Sequence, residues 1–244
     1  MKNLSDKKSY KITRLKQGFT LAEVLITLGI IGVVAALTIP TLIANHRKSV
    51  VETRLAKFYS TMNQAILRAE IDFGDKKDWG NIGDGYEKDE NGNPDKTKSI
   101  PLEWFNTYMR PYLNLMDVKL SSDGRVLAYF PDGSLAVISS AAIIFYIDAK
   151  YYSEYENDNG KFPDEMQSGT KCFLFAFWPS SENNKFHYNK GVEPYISSNW
   201  DGKRESLFTG EYGCKKDTNR TRPYCTKLIQ MNGWKIPKDY PLRI

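Results

Sequence analysis

Cysteine and histidine are scarce in this 244-residue chain, with three of the first and two of the second. Three cysteines, at 172, 214 and 225, are too few for a disulfide-built scaffold. They form no Cys-x-x-Cys and leave no second pair for a zinc site. Two histidines leave little for a histidine-rich metal centre. The motifs Gly-x-Ser-x-Gly, His-Glu-x-x-His and Gly-x-x-x-x-Gly-Lys-Ser/Thr are all missing. A cysteine–histidine nucleophile would have to join Cys172 to His187, and nothing local supports that arrangement. Net charge is missing too, except in one place. The chain totals +5, but residues 1–18 hold six basic side chains against Asp6 alone, and the remaining 28 basic and 28 acidic side chains cancel. That balance excludes a globally basic nucleic-acid binder. Wholesale disorder is excluded as well, because 41% apolar and 13% aromatic residues are enough to bury a core. No internal repeat or low-complexity linker divides the chain, and its length suits one large or two small domains.

What is abundant is apolar sequence directly after the basic stretch. Residues 19–43 contain a single ionisable side chain, Glu23. At about 1.5 Å per residue such a helix reaches about 37 Å, enough to cross a hydrocarbon core of roughly 30 Å. The basic residues all precede it, which places residues 1–18 in the cytoplasm and the rest across the membrane. A cleaved secretory signal begins the same way, but this run is too long and no Ala-x-Ala-like site closes it. Gly18 stands instead at its front. A charged side chain costs on the order of 2.5–3.5 kcal/mol at the bilayer centre, so Glu23 calls for a function and a partner. Cleavage after Gly18 would bring the Phe19 amine into the same apolar layer. One subunit's Glu23 could then neutralise a neighbour's amine and order the subunits into a helical bundle.

The run Lys16-Gln17-Gly18-Phe19-Thr20-Leu21-Ala22-Glu23 resembles the type IV prepilin cleavage and methylation motif, and the resemblance continues to residue 43. It implies that a prepilin peptidase cuts after Gly18 and methylates the Phe19 amine. It implies that Glu23 guides assembly and that Gly32 and Pro40 are helix-loosening positions. The expected partners are that peptidase, other pilin subunits, the inner-membrane assembly platform and the lipid bilayer. The implied function is that of a structural subunit, not an enzyme, in a type IV pilus or a type II secretion pseudopilus. A head larger than a minimal pilin's points to a minor or tip subunit.

The helical pattern continues beyond Pro40. Val51, Leu55, Phe58, Met62, Ile66 and Ala69 recur at steps of three and four, the stripe of an amphipathic helix. Pro40, without an amide hydrogen, is expected to kink or locally open that helix. Residues 74–99, rich in turn formers and charges of both signs, read as a long exposed loop. Pro101 opens a short helix that Pro111 ends. Two apolar runs about Asp132-Gly133 form a hairpin, and residues 141–147 and 172–178 are two more strands. A short helix over 224–231 ends at Asn232-Gly233, and residues 234–241 run extended. The expected fold is α+β and pilin-like: leader 1–18, transmembrane and stem helix 19–73, head 74–244 with a small antiparallel sheet. The head also resembles a recurring group of bacterial pilin-like proteins, through Pro111-Tyr-Leu-Asn, the Asp132-Gly-Ser hairpin with its following Ile-Ile-Phe-Tyr-Ile-Asp148, and Cys225-Thr-Lys-Leu-Ile-Gln-Met-Asn-Gly-Trp-Lys-Ile-Pro. Many of those proteins follow the Asp with Asn-Gly-x-Lys-x-Pro, which here is Asn159-Gly-Lys-Phe-Pro163 after an apparent insertion.

The translocated side is oxidising, so a disulfide is allowed. Cys214 and Cys225 are the favoured pair, closing a loop full of charge and turn formers, while other pairings of the three stay formally open. Cys172, in an apolar strand, reads as a buried thiol. No cofactor is expected. Asp89-x-Asn91-x-Asn93-x-Asp95 alternates like a calcium loop, but Pro94 and Ile100 occupy the positions where an EF-hand needs glycine and an acid, so a solvated loop is preferred. Two other classes remain. One is a pilus-borne binding module for DNA or a surface ligand, resting on Lys215, Lys216, Arg220, Arg222 and Lys227 beside Tyr224 and Trp234. A solvated basic loop is the preferred reading there, and nucleic acid is not an expected partner. The other is a signal-anchored extracytoplasmic enzyme.

Overall fold

The computed structural model describes residues 18–152, 168–216 and 221–244. Asn159-Gly-Lys-Phe-Pro163, Arg220 and residues 1–17 lie outside them. The chain divides into two compact units, Met1–Asn45 and His46–Ile244, and the division falls within helix α1 (Leu21–Phe73). Pro40 lies inside α1 without ending it. Its missing amide costs one ladder bond, to the carbonyl of Ala36, and the turns on either side persist.

In the second unit, α1 buries Val51, Leu55, Phe58, Met62, Ala65, Ile66 and Ala69, the stripe expected from the spacing with Ala65 added. This stripe packs on a six-stranded antiparallel sheet. After a ribbon of β1 (Tyr86–Lys88) and β2 (Pro94–Ser99) and the helix α2 (Ile100–Tyr108), the sheet runs β3 (Asp117–Leu120), β4 (Val126–Tyr129), β5 (Leu135–Ile138), β6 (Ile143–Tyr146), β7 (Cys172–Ala176) and β8 (Glu193–Pro194), each paired with the next. The four expected strands are β4 to β7; β3 and β8 extend them to six.

Side chains alternate across the sheet. Val126, Ala128, Ala136, Ile138, Ile143, Phe145, Phe173 and Phe175 join the stem in one core cluster. Leu127, Leu135, Val137, Ile144, Tyr146, Cys172 and Leu174 form a second cluster on the opposite face. Both faces are buried, so these strands are apolar at nearly every position. The Phe58 ring is the centre of the first face: it stacks on Phe145 at 4.3 Å and meets Phe175 at 5.0 Å and Phe130 at 5.9 Å. The register sets Ala128 against Ala136 on that face. Two small side chains there make room for the ring.

The sheet edges are blunted locally. On β3 the Asp117 carboxylate accepts the Val118 amide at 2.8 Å, occupying a donor that another strand would need. Beyond the two-residue β8, the Thr226 hydroxyl of α3 (Tyr224–Met231) accepts the Leu174 amide at 3.0 Å. The turn after α3 follows a Schellman pattern, with Gly233 at φ 65°, its amide on the Gln230 carbonyl and the Trp234 amide on that of Ile229.

Residues 74–99 differ from the expected exposed loop. Trp79 and Ile82 are buried, and Trp79 stacks on Tyr108 at 4.8 Å. The segment then forms the β1–β2 ribbon. Asp89 builds its turn, accepting the amides of Asn91 and Asn93 at 2.9 and 2.8 Å, and Gly92 takes φ 83°. The alternation that resembled a calcium loop thus forms an Asx turn. Two apolar anchors set among glycines and charged residues carry no period, so composition alone concealed them.

Candidate functional site

Two regions carry the candidate functional chemistry, one in each unit. The first is the start of α1. Thr20 and Glu23 form a reciprocal cap: the Glu23 carboxylate accepts the Thr20 amide and the Thr20 hydroxyl, both at 2.8 Å, while that hydroxyl accepts the Glu23 amide at 3.2 Å. This is a capping box, Thr-x-x-Glu, directly before an apolar run. The same four residues spell this signal in the sequence, where Glu23 serves as a cap as well as a charge. The helix N-terminus also favours an anion there. Glu23 therefore has a local partner in the free chain while remaining exposed.

Beyond the cap the helix surface is apolar on every side. Phe19 is 89% exposed, and Leu21, Leu25, Ile26, Ile30, Ile31, Val33, Leu37 and Leu42 are all exposed. Among the described residues α1 is the one helix long and apolar enough to cross a membrane. The threonines within the run satisfy their own hydroxyls, Thr27 on the Val24 carbonyl and Thr38 on the Val34 carbonyl, each at 2.9 Å. In a medium without water such internal bonds are required. Gly32 and Pro40 both lie inside this stretch, and a Cβ at Gly32 would meet no neighbour.

The second region is the polar seam between the stem and the head. Glu52 is buried, and its carboxylate accepts the Lys235 ammonium and the Ile236 amide, each at 2.9 Å. Arg54 donates to the carbonyls of Ile147 and Asp132. Lys57 pairs with the Asp132 carboxylate at 2.9 Å. Burial works against ionisation of Asp132, but bonds from Ser134 and Lys57 outweigh it and hold its pKa below the usual value. Tyr59 donates to Glu193 at 2.9 Å, and burial, with the nearby Glu193 charge, pushes its pKa up to about 12. Four side chains within about two turns of α1 thus tie the hairpin turn, the C-terminal segment and β8 to the stem. Nothing local in the sequence names these partners, because each lies at least 75 residues away.

Cys214 and Cys225 are joined by a disulfide, and Cys172 is a buried thiol. Two cations of the basic cluster around that loop are taken up inside the head. Arg222 is buried, with its guanidinium donating to the carbonyls of Lys215 at 2.7 Å, Lys216 at 3.2 Å and Ser168 at 3.4 Å. Lys227 donates to Gln230 at 2.7 Å, and burial lowers its pKa. These two cations hold the chain together. His187 is buried among the loops of the head, and its Nε2 accepts the Ile196 amide at 3.2 Å.

Two family models match the chain. The prokaryotic N-terminal methylation motif matches residues 13–39. A family of unknown function, DUF6613, matches residues 41–244. The chain belongs to the DUF6613 family. No curated protein and no solved structure matches it. In this DUF6613 chain the two matches abut: the processing signal and the first part of α1 belong to the motif, the stem and head to the family. The matched motif is the type IV prepilin signal, and the long apolar helix with antiparallel sheets fits a pilin-like architecture. The chain is therefore a pilin-like protein that carries a signal for processing and assembly.

Proposed function

We propose that this chain is a structural subunit of a type IV pilus or a type II secretion pseudopilus, in a minor or tip position. The observation that carries the proposal is the methylation motif over residues 13–39 leading into an exposed, uniformly apolar helix. Residues 1–18 stay in the cytoplasm and the head is translocated. The prepilin peptidase removes residues 1–18 after Gly18 and methylates the Phe19 amine. The processed subunit waits in the inner membrane, held by residues 19–43, until the assembly platform draws it into a filament. There Glu23 exchanges its Thr20 partners for the amine of a neighbour, and Gly32 and Pro40 let the helix loosen. Size supports the minor or tip position: the head carries a six-stranded sheet, a ribbon and a disulfide-closed C-terminal region.

Mass spectrometry of the membrane-extracted protein tests the processing step. The expected product lacks residues 1–18 and carries one methyl group on Phe19. An intact N-terminus in cells with an active prepilin peptidase would overturn the proposal. For assembly, Glu23→Val should be cleaved normally but fail to enter filaments; normal incorporation would remove the role given to Glu23. Labelling the filament with antibody to the head distinguishes tip from shaft, and uniform labelling along the shaft would refute the minor or tip position.

A further inference from the structure

His187 is fully buried, and together with Asn184 it holds both backbone groups of Ile196. Its Nε2 accepts the Ile196 amide at 3.2 Å, while Asn184 Nδ2 donates to the Ile196 carbonyl at 3.2 Å. The two side chains thus bond Ile196 as a neighbouring strand would. Ile196 in turn is buried in the cluster of Trp200, Leu207, Leu228 and the disulfide cysteines. The residue before it, Tyr195, donates its amide to the Leu174 carbonyl of β7. An accepting Nε2 fixes the neutral tautomer with its proton on Nδ1, and that nitrogen has no hydrogen-bond partner among the described residues. Trp178 stands at a steep angle to the ring, 4.9 Å away. Among the described residues the charged groups acting on the ring are Lys190 and Lys227, both cations.

We propose that His187 is an acid-operated latch, whose protonation removes the acceptor for the Ile196 amide and releases residues 184–200 from the head. A protonated ring has two donors and no acceptor, so Ile196 N–H and Nε2–H would face each other in a buried space. Two lysines oppose the added charge. Opening relieves both conflicts by giving the ring to water. Burial, assisted by the lysines, holds the ring's pKa down to about 4, whereas in the opened loop it returns to about 6.5. The sign follows from linkage: between those values the opened form binds the proton and the closed form does not, so opening grows as pH falls. The size follows too, at about tenfold per pH unit for one proton.

Hydrogen exchange of the full chain in detergent micelles, read by mass spectrometry and corrected for the intrinsic pH dependence of amide exchange, tests the latch. Peptides over 184–200 should lose protection about tenfold per unit between about pH 6.5 and 4, while peptides from β4 to β6 do not. His187→Gln keeps an acceptor but does not titrate, and should flatten that dependence. Equal slopes in the two proteins, or a wild-type loop whose protection ignores pH, would overturn the proposal. Should the variant not fold, NMR titration of the wild-type ring replaces it. A ring that protonates while residues 184–200 stay protected would equally overturn it.

Discussion

Glu52 offers a test of what binds the C-terminal segment to the stem. Its side chain is 9% exposed and serves two donors, the Ile236 amide and the Lys235 ammonium. These donors differ in worth. The Lys235 side chain is 69% exposed, so its ion pair is screened and contributes about 0–1 kcal/mol. The Ile236 amide lies in a buried residue, and leaving it without an acceptor costs about 1–3 kcal/mol. Three substitutions separate the two contributions. Lys235→Ala should destabilise by less than about 1 kcal/mol. Glu52→Gln retains an oxygen for the Ile236 amide and should cost little more than that. Glu52→Ala loses both bonds and should cost about 2–4 kcal/mol, the orphaned amide dominating. For a domain of about 200 residues each kcal/mol lowers the melting temperature by about 2–4 °C. Thermal melts of the full chain in micelles, followed by near-ultraviolet circular dichroism, resolve the series. The reasoning is refuted if either Glu52→Gln or Lys235→Ala is as damaging as Glu52→Ala.

Three further outcomes are expected. Phe58→Ala removes the ring that meets three other phenylalanines, and should cost about 3–5 kcal/mol in the same melts; a cost under 1 kcal/mol would mean that the sheet is not held through this residue. The double substitution Cys214→Ser, Cys225→Ser opens a loop with a sequence separation of 11 and should cost about 3 kcal/mol, as measured by urea unfolding with and without reductant. Reductant should lower the wild-type midpoint to that of the double variant and leave the variant unmoved. Asp132 has its folded pKa lowered, so its contribution is present above the ordinary carboxylate value of about 3.9 and is lost as pH falls through the folded value. Asp132→Asn should therefore be less stable at neutral pH and show a shallower fall in acid; parallel acid limbs would remove Asp132 as a contributor.

The stripe from Val51 to Ala69 was legible because a helix repeats every 3.6 residues, and each member is buried in the structure, with Ala65 joining them. The hairpin about Asp132-Gly133 was legible for a similarly local reason, since Gly133 takes the left-handed conformation its turn needs, at φ 81°. The disulfide was the favoured one of the pairings left open. The ribbon within 74–99 was not legible. Its fold depends on Trp79 reaching Tyr108 and on an Asx turn at Asp89, neither of which leaves a periodic trace. Arg222 misled for a related reason: composition counts a guanidinium as surface charge until a structure shows the carbonyls around it.

The sequence by itself determined the events that depend on neighbours along the chain. These are the basic stretch before Gly18, the motif over residues 13–39, the Thr20–Glu23 cap and an apolar run long enough to span a bilayer. Each acts over a few residues or through hydrophobicity summed along one helix, so order alone specifies it. Tertiary structure decided which off-stripe charges are fasteners, which cations are spent inside the head, and where the two faces of the sheet find cover. Glu52 meets Ile236 across 184 positions, and Arg54 meets Ile147 across 93. No periodicity encodes such pairs. They exist only because the sheet and the stem, once packed, bring distant donors and acceptors within about 3 Å and away from water, where an unmet bond is costly.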